Sequence, residues 1–353
     1  GDLNGDGSEQ GLKDELTNKS GCGFTPIGIS QGNSFKGTFD GQGFEIRNLY
    51  VKNNQYAGLF GFTVQAVVEN IGVTGDVYGQ YYTAGIVAKD IYTSILNSYS
   101  KVNIHLEENS STQYVGGIVG EQYYNSIVYN CYNEGEIVVS DKKINAYIGG
   151  IVGTSDNAKI INSYNKGKIE LSGYLDIQLG GILGKSSSEV INCHNYSDIR
   201  INRKDGGNGT YYIGGIVGNG GKITKSSNNG KIFNDLDRQY SYLYIGGIAG
   251  MSNEVTNSYN KGELHLNTTD NCDSYISGIS YSYGSAVITD CYNSADIYNF
   301  QEGENMCNAN VNGIGRGNIN RCYNTGDISS KNFSIFLFFI LTLTKIKKRF
   351  RIC

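Results

Sequence analysis

The chain has 353 residues, among them 49 glycines, 28 tyrosines and one proline; tryptophan is absent and only 18% of the residues are charged. Lys and Arg number 29 against 33 Asp and Glu, for a net charge of −4, and five of the basic residues (Lys345, Lys347, Lys348, Arg349, Arg351) fall in the last nine positions. The body is thus more acidic than that total, which argues against nucleic-acid binding, and the low charge density argues against a charged disordered tail.

The chain begins at Gly1 and has methionine only at 251 and 306, so it reads as a processed or excised product whose missing signal peptide carries no weight. Asp2, Asn4 and Asp6 in GDLNGDG have the opening spacing of a calcium loop. The twelfth position from Asp2 is Lys13, where a bidentate carboxylate is required, and Asp14 stands one residue late. The competing reading is a strand end followed by Asn-Gly and Asp-Gly turns. No metal or cofactor is assigned. Residues 1–55 are read as an entry or capping coil.

From residue 56 onward one pattern dominates. YVGGIVG at 114–120 recurs as YIGGIVG at 147–153, QLGGILG at 178–184, YIGGIVG at 212–218 and YIGGIAG at 244–250. Degenerate copies bring the second-glycine positions to 58, 85, 117, 150, 181, 215, 247, 278 and 313. Each copy leads to a second block such as NCYNEGEI at 130–137 or NSYNKGKI at 162–169, and then to a short alternating run such as Ile169, Leu171. Alternation marks a strand with one buried face, and Asn-x-Gly marks a turn. A unit of about 31 residues cannot bury its apolar face alone, so neighbours must stack. The expected fold is all-β, a parallel β-solenoid (β-helix) of about nine coils over 56–332. Glycine recurs because a side chain there would obstruct the next coil or the bend. Ser277 and Asn312 replace the first glycine in copies eight and nine, which predicts a looser far end.

Residues 333–353 (FSIFLFFILTLTKIKKRFRIC) share none of this composition. The apolar run from Phe333 to Thr344 would reach about 18 Å as a helix, short of the roughly 30 Å hydrocarbon core. It reads either as a membrane tail, the chain's one route to membrane contact, or as a truncated or frame-shifted end.

These residues resemble the GLUG-motif repeats of bacterial secreted and cell-surface proteins. The core is carried here by Gly58-Leu59-Phe60-Gly61 and Gly117-Ile118-Val119-Gly120, preceded by FTPIG at 24–28 and FKGTFDGQGFEIRNLYV at 35–51. The resemblance covers roughly residues 22–330. It implies a β-solenoid on an exported protein acting as adhesin, stalk or passenger, with no catalytic residues to transfer.

Cys131, Cys193, Cys291 and Cys322 occupy one repeat position, filled elsewhere by Ser98, Ser163, Ser226 and Ser258. Such a column spreads its thiols along the axis rather than converging them on zinc. Two adjacent-coil pairs, Cys291 with Cys322 and Cys272 with Cys307, fall within the separation a disulfide allows, with free thiols as the alternative. Tyr82, Tyr114, Tyr147, Tyr212, Tyr244 and Tyr275 form one expected column, and Tyr99, Tyr132, Tyr164, Tyr259, Tyr292 and Tyr323 another. Stacked rings serve either as a structural ladder, the favoured reading, or as a sugar platform. Asn130, Asn162, Asn192 and Asn257 suggest a column that satisfies buried turn carbonyls. His105, His194 and His265 stand in different contexts and read as surface or ladder residues. Glu121, Asp156 and Glu189 follow their glycine cores at different offsets, so no acid pair is legible.

The sequence therefore points to a non-catalytic extracellular module of a bacterial surface protein, spacing or displaying an adhesive surface toward glycans or proteins. The alternatives are a carbohydrate-binding or polysaccharide-degrading β-helix and the passenger of an exported protease.

Overall fold

The computed structural model describes residues 23–107, 112–139, 145–172, 176–203, 209–236, 241–268, 272–282, 286–301 and 309–330. The calcium-like loop at Asp2, Asn4 and Asp6, the tail 333–353 and Cys307 lie outside them. The described chain is all-β, a parallel solenoid of about 8 turns with roughly 32 residues per turn. Nine glycine copies enclose eight intervals, which is why the turn count is one below the copy count.

One coil shows the path. Gln113–Gly116 leads into a bend at Gly117, then Val119–Tyr123 and Ile127–Tyr129, then Tyr132–Asn133 and Ile137–Val139. Equivalent strands stack into three sheets. The first, here the tyrosine sheet, joins strands from Tyr56–Ala57 to Ala309–Asn312. The second, the corner sheet, takes the two strands after the glycine bend, and the third, the asparagine sheet, takes the last two. Pairing is parallel and strictly coil on coil: Tyr114 opposes Tyr147, Val119 opposes Val152, and Asn133 opposes Asn165.

Alternation decides which side chains turn inward. Val115, Ile148, Leu179, Ile213, Ile245 and Ile276 form one fully buried column, and the intervening tyrosines face out. Each such apolar side chain contributes about 1.5–3 kcal/mol through its burial. Between the sheets the chain bends too sharply for a side chain. A Cβ on Gly117 would lie 2.2 Å from the Gly150 carbonyl oxygen of the next coil, and one on Gly120 would lie 2.4 Å from the Ala88 carbonyl oxygen of the previous one. Both are far inside contact distance, so glycine there is a requirement of stacking. At the replaced positions strand pairing continues, with Gly246 opposite Ser277 and Ser277 opposite Asn312. The Ser277 hydroxyl is buried without a hydrogen-bond partner among the described residues.

At the N-terminal end Phe24, Ile27, Phe35, Phe39 and Ile46 pack against the core, and Glu45–Asn53 pairs with Gly72–Gly79. On the outer face of the corner sheet Lys159, Glu189, Lys222 and Glu254 stand opposite one another in register. Lys159 lies 2.9 Å from Glu189 and Lys222 lies 3.4 Å from Glu254. Exposed pairs of this kind contribute well under about 1 kcal/mol each. Among the described residues there is no helix long and apolar enough to cross a membrane.

Candidate functional site

Two asparagine columns run through the solenoid, and the sequence-based choice fell on the wrong one. Asn130, Asn162, Asn192 and Asn257 occupy a bend where every coil turns left-handed, with φ of 54°, 53°, 53° and 51°. Where their amides are bonded they meet corner asparagines of the previous coil instead of buried carbonyls: Asn130 donates to Asn97 at 2.9 Å and Asn192 to Asn162 at 2.8 Å, on the exposed corner. Asparagine suits this bend because it tolerates positive φ. The buried ladder uses the second asparagine of the block: Asn133, Asn165, Asn195, Asn228, Asn260, Asn293 and Asn324. In each step Nδ2 donates to the next coil's Oδ1, at 2.7–3.1 Å. The same amide also donates to the carbonyl two residues on, as in Asn228 to Gly230 at 2.9 Å. An interior amide column is fully satisfied only if every coil keeps its register.

The cysteine column is real and buried. Cys131, Cys193 and Cys291 are at most 1% exposed, and each coil's N–H donates to the next coil's hydroxyl or sulfur, as Cys131 does to Ser163 and Cys291 to Cys322. Burial pushes the Cys131 and Cys193 thiols up to about 12, which leaves them protonated and inert. Cys291 and Cys322 are consecutive rungs, held here as free thiols. The neighbouring Cys291 side chain, with help from its N–H, lowers Cys322 to about 7, while Cys291 itself is raised. Cys272 lies in the strand Cys272–Ser277, while its proposed partner Cys307 lies outside the described residues. We expect iodoacetamide to label Cys322 ahead of Cys131, Cys193 and Cys291 in the folded protein near neutral pH, with Cys131 and Cys193 protected until denaturant is added. Peptide mass spectrometry would also reveal any linked 291–322 peptide; equal labelling of Cys131 and Cys322 would contradict the burial difference.

Both tyrosine columns form ladders. Tyr99, Tyr132 and Tyr164 stack at 4.9 and 5.0 Å between ring centres, and Tyr212, Tyr244 and Tyr275 at 4.9 Å each. The first column begins with Tyr56 over Tyr82 and Tyr82 over Tyr114, and turns edge-on at Tyr147. The histidines are rungs too. His265 stacks between Phe233 and Tyr298, His105 lies against Tyr78, and His194 opposes Tyr164 in the tyrosine place. The three acids do not meet. Asp156 bonds Ser187, Glu189 pairs with Lys159, and Glu121 is buried with Lys89.

That last pair was not legible as a site. Lys89 and Glu121 face each other in register on the corner sheet, with Nζ to Oε2 at 2.7 Å and Glu121 only 2% exposed. Tyr123 donates its hydroxyl to Glu121 at 2.8 Å, and Lys89 lies 4.4 Å above the Tyr82 ring and 3.2 Å from its hydroxyl. Burial, assisted by the Glu121 charge, pushes Tyr114 up to about 12 and raises Tyr82 and Tyr123 further. These phenols keep their protons, so the cluster ties two coils together through a desolvated ion pair and a cation–π contact. On the inward face of the same strand, fully buried Asp90 stands between Thr63 and Gln122. Neither of its oxygens meets a hydrogen-bond donor in good geometry among the described residues, and Ser126 donates instead to the Tyr123 carbonyl. Burial raises Asp90 to about 8, tempered by the nearby Ser126 hydroxyl and Tyr123 N–H. Among the described residues no group of three or more His, Cys, Asp or Glu side chains could hold a metal.

No curated protein matches the chain, and no solved structure does. Two consecutive coils, residues 111–138 and 144–170, match the family described as the GLUG motif. They contain the Gly116-Gly117 and Gly149-Gly150 bends and the Asn133 and Asn165 rungs, so the chain carries the GLUG motif on successive coils of a β-solenoid, as a GLUG-motif repeat protein would.

Proposed function

We propose that the chain is a non-catalytic extracellular repeat module of a bacterial surface protein, a stalk that holds an adhesive or displayed surface away from the cell. The observation that supports this reading is the continuity of the hydrogen-bonded columns. The asparagine ladder runs unbroken from Asn133 to Asn324, flanked by stacked tyrosines and a Ser/Cys column. Such columns hold coil on coil without a ligand and make an axially stiff rod. About eight turns at roughly 4.8 Å per stacked strand span about 40 Å. Partners in this reading are glycans or proteins met at the outer surface.

The test is accessibility on living cells of the organism that makes the chain. An antibody raised against the folded solenoid is expected to label intact cells, and external protease to remove that label. Labelling that appears only after the cells are permeabilised would refute the surface assignment.

A further inference from the structure

At the N-terminal end of the corner sheet a cleft of about 330 Å³ is lined by Gln31, Lys36, Val64, Gln65, Ile91 and Tyr92. It lies away from the buried ladders. Tyr92 is 49% exposed and stacks on Tyr124 of the next coil, itself 47% exposed, at 5.5 Å between ring centres and 25° between planes. The backbone beneath these residues is unusual. Gln65, Tyr92 and Tyr124 have φ of 50°, 53° and 50°, all left-handed. The next coil turns this corner with Asn157 at φ 51°, a residue that accepts the conformation readily. A tyrosine does not, and its ring recovers little by burial here. Two consecutive coils therefore hold aromatic rings in solvent on a backbone that disfavours them, at the edge of a cleft. Stacking of coils does not call for that choice.

The remaining lining residues narrow the chemistry. Gln31 and Gln65 are exposed primary amides, each able to donate and accept toward vicinal hydroxyls. Val64 and Ile91 are half-buried and supply apolar surface. Lys36 is exposed and forms no ion pair among the described residues. An aromatic face, two amides and one ammonium suit a ring with an apolar face, an equatorial rim of hydroxyls and one negative charge. We propose that this cleft binds an acidic sugar, a hexuronate residue of a polysaccharide, stacked on Tyr92 with its carboxylate toward Lys36. Tyr124 extends the aromatic surface one coil along the axis, so a chain of sugars gains contact beyond the first ring. The volume is at the low end of the range for small-molecule sites and suits one or two sugar rings. This assignment is independent of the stalk reading, which would survive its failure.

Calorimetric titration with trigalacturonate, and with cellotriose as the neutral probe, tests it at constant ionic strength. Trigalacturonate is expected to bind at least about tenfold more tightly than cellotriose, and Lys36→Gln to remove that difference. Tyr92→Asn separates binding from folding. Asparagine suits the left-handed backbone, so this variant is expected to be at least as stable as the parent yet to lose about tenfold or more in affinity. Absence of trigalacturonate binding up to about 10 mM, equal affinity for both sugars, or unchanged binding by Tyr92→Asn would each overturn the proposal.

Discussion

Replacing Asn228 by alanine is expected to destabilise the solenoid by about 3–5 kcal/mol, while Asn192→Gly changes stability by less than about 0.5 kcal/mol. Asn228 accepts from Asn195 at 2.9 Å, donates to Asn260 at 2.9 Å and donates to the Gly230 carbonyl at 2.9 Å. Alanine deletes all three bonds and leaves the Asn195 amide, the Asn260 Oδ1 and the Gly230 carbonyl each one partner short in the interior, although Asn195 keeps its bond to Ser197 and Asn260 its bond from Gly262. A hydrogen bond exchanged with water costs about 1 kcal/mol, while a buried group left short of a partner costs about 1–3 kcal/mol; three groups each lose one bond here, two of them only in part. Asn192 sits on the exposed corner at φ 53°, where glycine relieves a strained backbone and loses only a solvent-facing bond. Denaturant midpoints of the two variants decide between the columns. If Asn192→Gly proved the more damaging, the buried ladder would not be what joins the coils. Because stability in a stacked array is close to nearest-neighbour, hydrogen exchange should quicken most in the coils bracketing Asn228.

Asp90 should make the protein less stable as pH rises, with the opposite sign to an ordinary ion-paired carboxylate. Its folded value of about 8 lies above the ordinary 3.8 of the unfolded chain. Between those values the folded state keeps a proton that the unfolded state has released, so stability falls as pH rises and the loss is complete above about 8. The full difference corresponds to roughly 6 kcal/mol. Asp90→Asn keeps the shape and removes the titration. Melting of the parent and of Asp90→Asn compared between about pH 6 and 9 is expected to show a gap that widens with pH. Other titrating groups, Cys322 among them, cancel in that difference. A constant gap would mean that Asp90 is already ionised in the fold.

The coil period was legible because it follows from steric necessity. A side chain at Gly117 or Gly120 would meet backbone on a neighbouring coil, so the position repeats wherever the coil does. The Ser/Cys column was legible for a related reason, since small side chains exchange at one position. The asparagine ladder was misplaced by three residues: in Asn130-Cys131-Tyr132-Asn133 both asparagines recur, and period alone does not separate a left-handed corner from an inward rung. What was not legible belongs to single coils. Among the described residues Glu121 and Asp90 recur at no equivalent position and Lys89 recurs only as Lys185, three coils on over Tyr147; the ion pair forms only because Lys89 falls opposite Glu121 once register is set. The same holds for Tyr92 beside Lys36, which joins the entry segment to the second glycine copy. Repetition reveals what every coil shares and hides what one coil does.

The alternating charges on the corner sheet have a consequence for folding. Coils this alike could thread out of phase, with one looped out and its neighbours joined across the gap. YIGGIVG at 147–153 is identical to 212–218, so the glycine bends alone offer weak protection. In the native order Lys159 meets Glu189, Glu189 meets Lys222, and Lys222 meets Glu254. Skipping one coil would set Lys159 beside Lys222 or Glu189 beside Glu254, like charge against like at strand spacing. Pairs too exposed to add much strength still act as a parity check on assembly order.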